Sequence, residues 1–183
     1  MSKTVLVITG SPRRGGNSDQ LAEALGKGAR EAGHRVEKFE TAFRRIAGCT
    51  ACEQCWSKGR ACVIEDDWQE LSEKMEAADV LVFAYPLYWS TMPAQMKGAV
   101  DRLFSYCAAD CARPLTGKEY VALLCGECEG DGIFREARAV HKGLEGYFAW
   151  RQVGEVAVHS VFEKGAILKT GARDRAYRLG LSL

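Results

Sequence analysis

The stretch Ile8–Gln20, ITGSPRRGGNSDQ, places two arginines, three glycines, two serines and an asparagine directly after an apolar run. A loop of that composition is suited to holding an anion. Arg13 offers a planar, two-pronged donor matched to phosphate. Ser11 and Ser18 offer hydroxyls, and Gly15 and Gly16 admit close approach of the backbone. Asn17 or Ser18 is expected to cap the helix that follows, leaving backbone N–H groups and the positive end of the helix dipole facing the loop. Spacing excludes two familiar phosphate loops. No Gly-Lys-Ser/Thr follows the glycines, and no Gly-x-Gly-x-x-Gly with a distant ribose-binding acid is present. A monophosphate remains, against the plainer alternative of a polar turn that only caps a helix.

The second constellation is CTACEQCWSKGRAC, with Cys49, Cys52, Cys55 and Cys62 spaced C-x2-C-x2-C-x6-C. Three thiolates at that spacing can converge on one centre, and a turn at Ser57–Arg60 can return the fourth. Tetrahedral zinc and a [4Fe–4S] cubane both use four such ligands. The compact triple favours the cubane, because zinc sites more often use two separated pairs. A cluster-free cysteine loop is the remaining alternative. Cys125-x2-Cys128 lacks the helix-opening context of a dithiol redox site, and Cys107-x3-Cys111 reads as packing. His34, His141 and His159 are scattered and form no metal or triad pattern.

These residues need elements to position them. Short apolar runs at Thr4–Thr9, Asp79–Ala84, Tyr120–Cys125 and Val153–Val161 suit strands covered on both faces, and Arg35–Glu40 fits a further strand. Between them the period turns helical. Leu21, Leu25, Gly28 and Ala32 form one stripe, with Gly33 as a stop. Trp68, Leu71, Met75 and Ala78 form another, opened by an Asp67/Glu70 capping box. Met96, Val100 and Leu103 form a third, with Thr91 as N-cap and Pro93 in the first turn. Asp131–Trp150 reads as a fourth helix and Ala172–Leu181 as a fifth. Alternation of this kind predicts an α/β fold with a parallel sheet, helices on both faces and a ligand at the carboxyl ends of the strands. The 183 residues suit one domain, 1–183, whose irregular cysteine-rich loop runs from about 44 to 66. A net charge of +1, with no basic block, argues against nucleic acid. No apolar run reaches the ~20 residues of a membrane helix. The immediate start of the first strand and the clustered cysteines point to the cytoplasm.

GSPRRGGNS resembles the phosphate loop, GSPRxxGN[ST], of the flavodoxin-like NAD(P)H-dependent FMN reductase family. AYPLYWSTMPAQMKGAVDR, residues 84–102, is similar to that family's PxYW…M…K…DR stretch. The cysteine run and the following CVIEDDW resemble the iron–sulfur flavoprotein branch. The resemblance implies a flavodoxin-like three-layer sandwich with five parallel strands in the order 2-1-3-4-5. It also implies FMN, with its phosphate on Ser11, Arg13, Gly16, Asn17 and Ser18 and its ring against Pro86, Leu87, Tyr88 and Trp89. Gly126 falls in the third flavin-facing loop. Lys97, Asp101 and Arg102 match the family pattern and read as a salt-bridge set on the third helix. The implied activity is electron transfer from NAD(P)H through FMN to a small acceptor such as a quinone or free flavin. The alternative is an electron carrier holding FMN and a [4Fe–4S] cluster on the four cysteines, exchanging electrons with a ferredoxin-like partner. A non-redox module binding another phosphorylated ligand is the third reading. Flavin chemistry requires no acid or base, so no side chain is assigned a catalytic role. The resemblance further implies a homodimer or homotetramer.

Overall fold

The structure is a computed structural model that describes all residues from Met1 to Leu183. Five strands, β1 (Thr4–Thr9), β2 (Arg35–Glu40), β3 (Val80–Pro86), β4 (Glu119–Cys125) and β5 (Arg151–Val158), alternate with five α-helices. These are α1 (Asn17–Glu31), α2 (Trp68–Ala77), α3 (Ala94–Asp101), α4 (Arg135–Phe148) and α5 (Ala172–Leu181). All neighbouring strands are parallel, in the order β2-β1-β3-β4-β5. A parallel pair cannot be joined by a tight turn, so each connection crosses a face of the sheet.

The pleat sends alternate side chains to opposite faces, and two cores result. Val5, Val7, Val80 and Val82 face α1 and α5, while Leu6, Ile8, Leu81 and Phe83 face a core shared by Trp68, Met96 and Phe134. The chain leaves β1 toward β2 and later returns to β3 on its other side. The connections therefore diverge at the β1/β3 boundary, where a crevice opens. Register aligns Thr9 with Ala84 and Pro86 with Cys125, so the loops that follow β1, β3 and β4 gather at one edge.

Several local expectations are corrected. Gly16 precedes α1 and Asn17 is already helical, with no side-chain cap. Pro93, not Thr91, stands before α3. The Asp67/Glu70 box is absent, and Asp66 Oδ1 accepts the Trp68 N–H instead, at 3.1 Å. The fourth helix is broken at its start into a 3-10 turn, Asp131–Phe134, and is ended by left-handed Ala149. β5 begins two residues earlier than the alternating pattern suggested and ends three earlier, with Arg151 and Gln152 pairing with Glu119 and Tyr120. Lys97 pairs with Asp101 on the surface, but Arg102 does not join them; it turns inward to Asp66.

Candidate functional site

A cleft of about 390 Å³ lies at the carboxyl edge, within the range of small-molecule sites. The β1–α1 loop contributes Ser11, Arg13, Gly16, Asn17 and Ser18 to its lining. The end of β3 contributes Pro86, Leu87, Tyr88 and Trp89. Two candidate glycines lie outside the lining, Gly15 in the β1–α1 loop and Gly126 after β4. A Cβ on Gly126 would collide with Ile133, and the Gly126 N–H is spent on Val158 O at 2.9 Å. Its smallness serves packing beneath the cleft.

At the anion-suited end, the N–H groups of Gly15 and Gly16 are turned to protein acceptors. Gly15 donates to Asp19 Oδ2 at 2.7 Å and Gly16 to Arg13 O at 2.9 Å. Lys38 neutralises Asp19 from the other side at 2.6 Å. The N–H groups of Asn17, Ser18 and Asp19 precede the first helical bond, made by Gln20, and stay unused. Ser11 Oγ accepts the Arg13 N–H at 3.1 Å, which fixes the bend of the loop. Ser18 is only 2% exposed, and its hydroxyl makes no hydrogen bond within the chain although it lines the cleft. The hydroxyl opens onto the cleft and is free to donate to a ligand seated there.

Past β3, Leu87 N–H donates to Cys125 O at 2.7 Å and continues the sheet edge. Tyr88 and Thr91 then close a two-residue turn through bonds of 2.8 and 3.2 Å. The residues between them, Trp89 and Ser90, take φ values of +49° and +67°. Side chains other than glycine rarely occupy that region, and such strain collects at functional sites. Trp89 is fully exposed at the rim. Behind it, burial pushes the Cys125 thiol up to about 12, so the cleft meets a neutral S–H there.

Sequence reasoning missed the contribution of the segment after β5. Phe162 and Lys164 line the cleft, and the Arg13 guanidinium lies over the Phe162 ring, 5.3 Å from its centre. No motif marks this segment; only the parallel placement of β5 next to β4 brings it to the edge.

The cysteine loop is closed at its base by one buried arginine. Arg102, 1% exposed, pairs with Asp66 at 3.0 Å and donates to Ala47 O at 3.0 Å and Ile64 O at 3.4 Å. Asp66 also accepts the Ala47 N–H at 2.8 Å. The Trp56 indole anchors the loop's middle on Ser105 O at 2.7 Å. Within the loop, Ala51, Glu53 and Trp56 have positive φ, and N–H groups turn toward sulfur, Ala51 reaching Cys49 Sγ at 3.5 Å. The Gln54 N–H and the Thr50 hydroxyl, with Arg102 farther off, hold the Cys52 thiol below the ordinary range. Burial and the nearness of Cys62, Cys49 and Cys52 push the Cys55 thiol up. The four sulfurs thus share one neighbourhood, and all eight cysteines are unpaired. Yet no three His, Cys, Asp or Glu side chains converge closely enough to hold a metal ion. The loop does not fit a single tetrahedral ion.

A sequence model described as NADPH-dependent FMN reductase matches residues 4–162. An iron-sulfur flavoprotein of Methanosarcina thermophila is 34% identical over 134 residues, 73% of this chain and 69% of that protein. One from Archaeoglobus fulgidus is 34% identical over 143 residues, 78% of this chain and 70% of that one. Of a second Archaeoglobus fulgidus iron-sulfur flavoprotein, 38% identical over 99 residues, the matched part spans only 44%. Among solved structures, an NAD(P)H:quinone oxidoreductase from Methanothermobacter marburgensis superposes with a TM-score of 0.78 at 25% identity, covering 100% of this chain and 96% of that one. No helix is long and apolar enough to cross a membrane. With a family-model match over residues 4–162, most of its length, the chain belongs to the NADPH-dependent FMN reductase family.

Proposed function

We propose that this chain is an FMN-dependent NAD(P)H oxidoreductase that seats FMN in the carboxyl-edge cleft and passes electrons to a small acceptor, a quinone or free flavin. The observation that carries the seat is the set of unused N–H groups in the first turn of α1, at a cleft also lined by Ser18. Those donors, with Ser11 and Arg13, suit a phosphate at a helix N-terminus. When bound, FMN supplies hydride acceptance from a nicotinamide and release of electrons singly or in pairs. The chain's own residues bind and orient. Arg13 and the first turn of α1 hold the phosphate end, while Pro86, Leu87, Tyr88 and Trp89 give the ring a flat, apolar wall. Cys125, kept protonated by burial, adds no charge beside that wall. A cytoplasmic setting suits eight unpaired thiols, and a homodimer or homotetramer would cover Trp89.

The test is titration of the FMN-free protein with FMN, followed by NAD(P)H oxidation with a quinone acceptor. Ser18→Ala is expected to weaken FMN binding about tenfold, the loss of one charge-assisted hydrogen bond. Absence of FMN binding by the wild-type protein would remove the assignment.

A second reading is favoured by the shared neighbourhood of Cys49, Cys52, Cys55 and Cys62 and by the N–H groups aimed at sulfur. A cubane spreads its ligands over four corners, unlike a single ion, and thiolates accepting backbone N–H bonds are suited to it. On this reading the protein is an FMN and [4Fe–4S] electron carrier serving a ferredoxin-like partner. Anaerobic purification with iron and sulfide analysis distinguishes the two: about four of each per chain supports the carrier, and none supports the reductase.

A further inference from the structure

We propose that Lys164, held in place by Asn17, is the second cation of the phosphate seat and gives the cleft its preference for a phosphorylated flavin over the unphosphorylated one. The proposal rests on the FMN reading above and adds to it a residue and a positioning device.

The loop itself brings only one cation, Arg13, to the cleft lining. Two of its N–H groups, on Gly15 and Gly16, are spent within the loop, and an acid, Asp19, sits in the first turn. A phosphate monoester carries up to two negative charges, and Arg13 alone leaves one unmatched. Lys164 lies against this loop. Its Cε and Nζ are both 3.5 Å from where a side chain on Gly15 would begin. Lys164 is among the residues lining the cleft and takes part in none of the chain's ion pairs, while Arg13 is likewise unpaired with any acid. Both cations belong to the lining of one cleft, so a doubly charged phosphate seated there would draw on both.

Asn17 explains how Lys164 is kept there. The family resemblance implies Asn17 in the phosphate seat, and its carboxamide is engaged by the segment after β5. Its Oδ1 accepts the N–H groups of Gly165 at 3.1 Å and Ile167 at 3.2 Å, and its Nδ2 donates to Glu163 O at 3.0 Å. These bonds grip the chain on both sides of Lys164. Arg13 adds a longer bond to Phe162 O at 3.5 Å. Asn17 is therefore a positioning residue, acting on the phosphate through Lys164. Glu127 is the opposing acid in the cleft lining, and it would make an unneutralised second phosphate charge still less welcome without Lys164.

The experiment compares FMN with riboflavin, which lacks only the phosphate, by fluorescence titration of FMN-free wild type, Lys164→Gln, Lys164→Arg, Asn17→Ala and the double variant Lys164→Gln/Asn17→Ala. Lys164→Gln is expected to weaken FMN about tenfold or more, leave riboflavin unchanged and flatten the salt dependence of FMN binding. Lys164→Arg is expected to keep most of the discrimination. Asn17→Ala should lose FMN affinity without losing riboflavin affinity, and in the Lys164→Gln background should cost little further. Equal losses for both flavins, or no loss of FMN in Lys164→Gln, would overturn the role of Lys164. Wild type that binds neither flavin would instead overturn the FMN reading itself, so the two failures are told apart.

Discussion

His141 projects from α4 into the core, stacked on Tyr120 at 5.4 Å and 2.9 Å from the Tyr85 hydroxyl. Burial pulls its imidazole from 6.5 down to about 4, outweighing the attraction of Glu155 and Glu145. A neutral ring can accept the Tyr85 proton, and burial also raises the Tyr85 phenol, so neither partner charges at neutral pH. Between those two values the unfolded chain binds a proton that the folded chain refuses. Stability therefore falls as pH drops from about 6.5 toward 4, by about 3 kcal/mol from this residue alone. His141→Gln, which keeps an acceptor for Tyr85, is expected to flatten that part of the pH profile in urea unfolding. Cys125 shows the same burial acting on a thiol. Brief alkylation of native protein should label the exposed Cys49, Cys52, Cys107 and Cys128 and spare Cys125, as peptide mass analysis would show. Labelling of Cys125 as fast as Cys128 would contradict its burial.

At the scale of elements, Arg102 joins α3 to both ends of a long irregular loop. Arg102→Met would leave Asp66, 8% exposed, without its counter-ion and loosen Ala47 and Ile64 together. A loss of about 3–5 kcal/mol is expected in denaturant unfolding, whereas Lys97→Ala on the exposed face of α3 should cost under about 0.5 kcal/mol. Glycines separate in the same way. On α1, a side chain at Gly28 would strike the backbone of Tyr177 on α5, which no rotamer change can relieve. Gly28→Ala should therefore destabilise by about 1–3 kcal/mol despite its better helix propensity. Gly143 on α4 meets nothing within 4 Å, and Gly143→Ala should stabilise by about 0.5–1 kcal/mol. The elements were largely legible because apolar runs and helical stripes report burial directly; the bounds of β1, β2 and α5 coincide with the pattern in the sequence. The cleft's β1 and β3 sides were legible too, since the residues that line it sit together in the chain. Lys164 was not, because its role depends on sheet order and on an Asn17 side chain whose direction no spacing reveals. The inward turn of Arg102 escaped for a related reason. Beside Lys97 and Asp101 it reads as one more surface charge, and only Asp66, 36 residues away, explains its burial.

Across the whole molecule, α1 and α5 lie backbone to backbone through Gly28 and Gly180, where a side chain at either glycine would meet the opposite helix. That crossing fixes the turn after β5 against the loop after β1, and Asn17 bridges positions 148 and 150 residues apart. A chain emerging from the ribosome makes its N-terminal part first. When residues 11–18 appear, they have no Lys164 to face and no α5 to cover the apolar stripe of α1. The nascent protein can build β1 through β4 before the Lys164 segment reaches the cleft. On the proposed role of Lys164, cofactor charging would wait for the last stage of synthesis, and a ribosome-bound chain halted before Val161 should release FMN that the completed chain keeps.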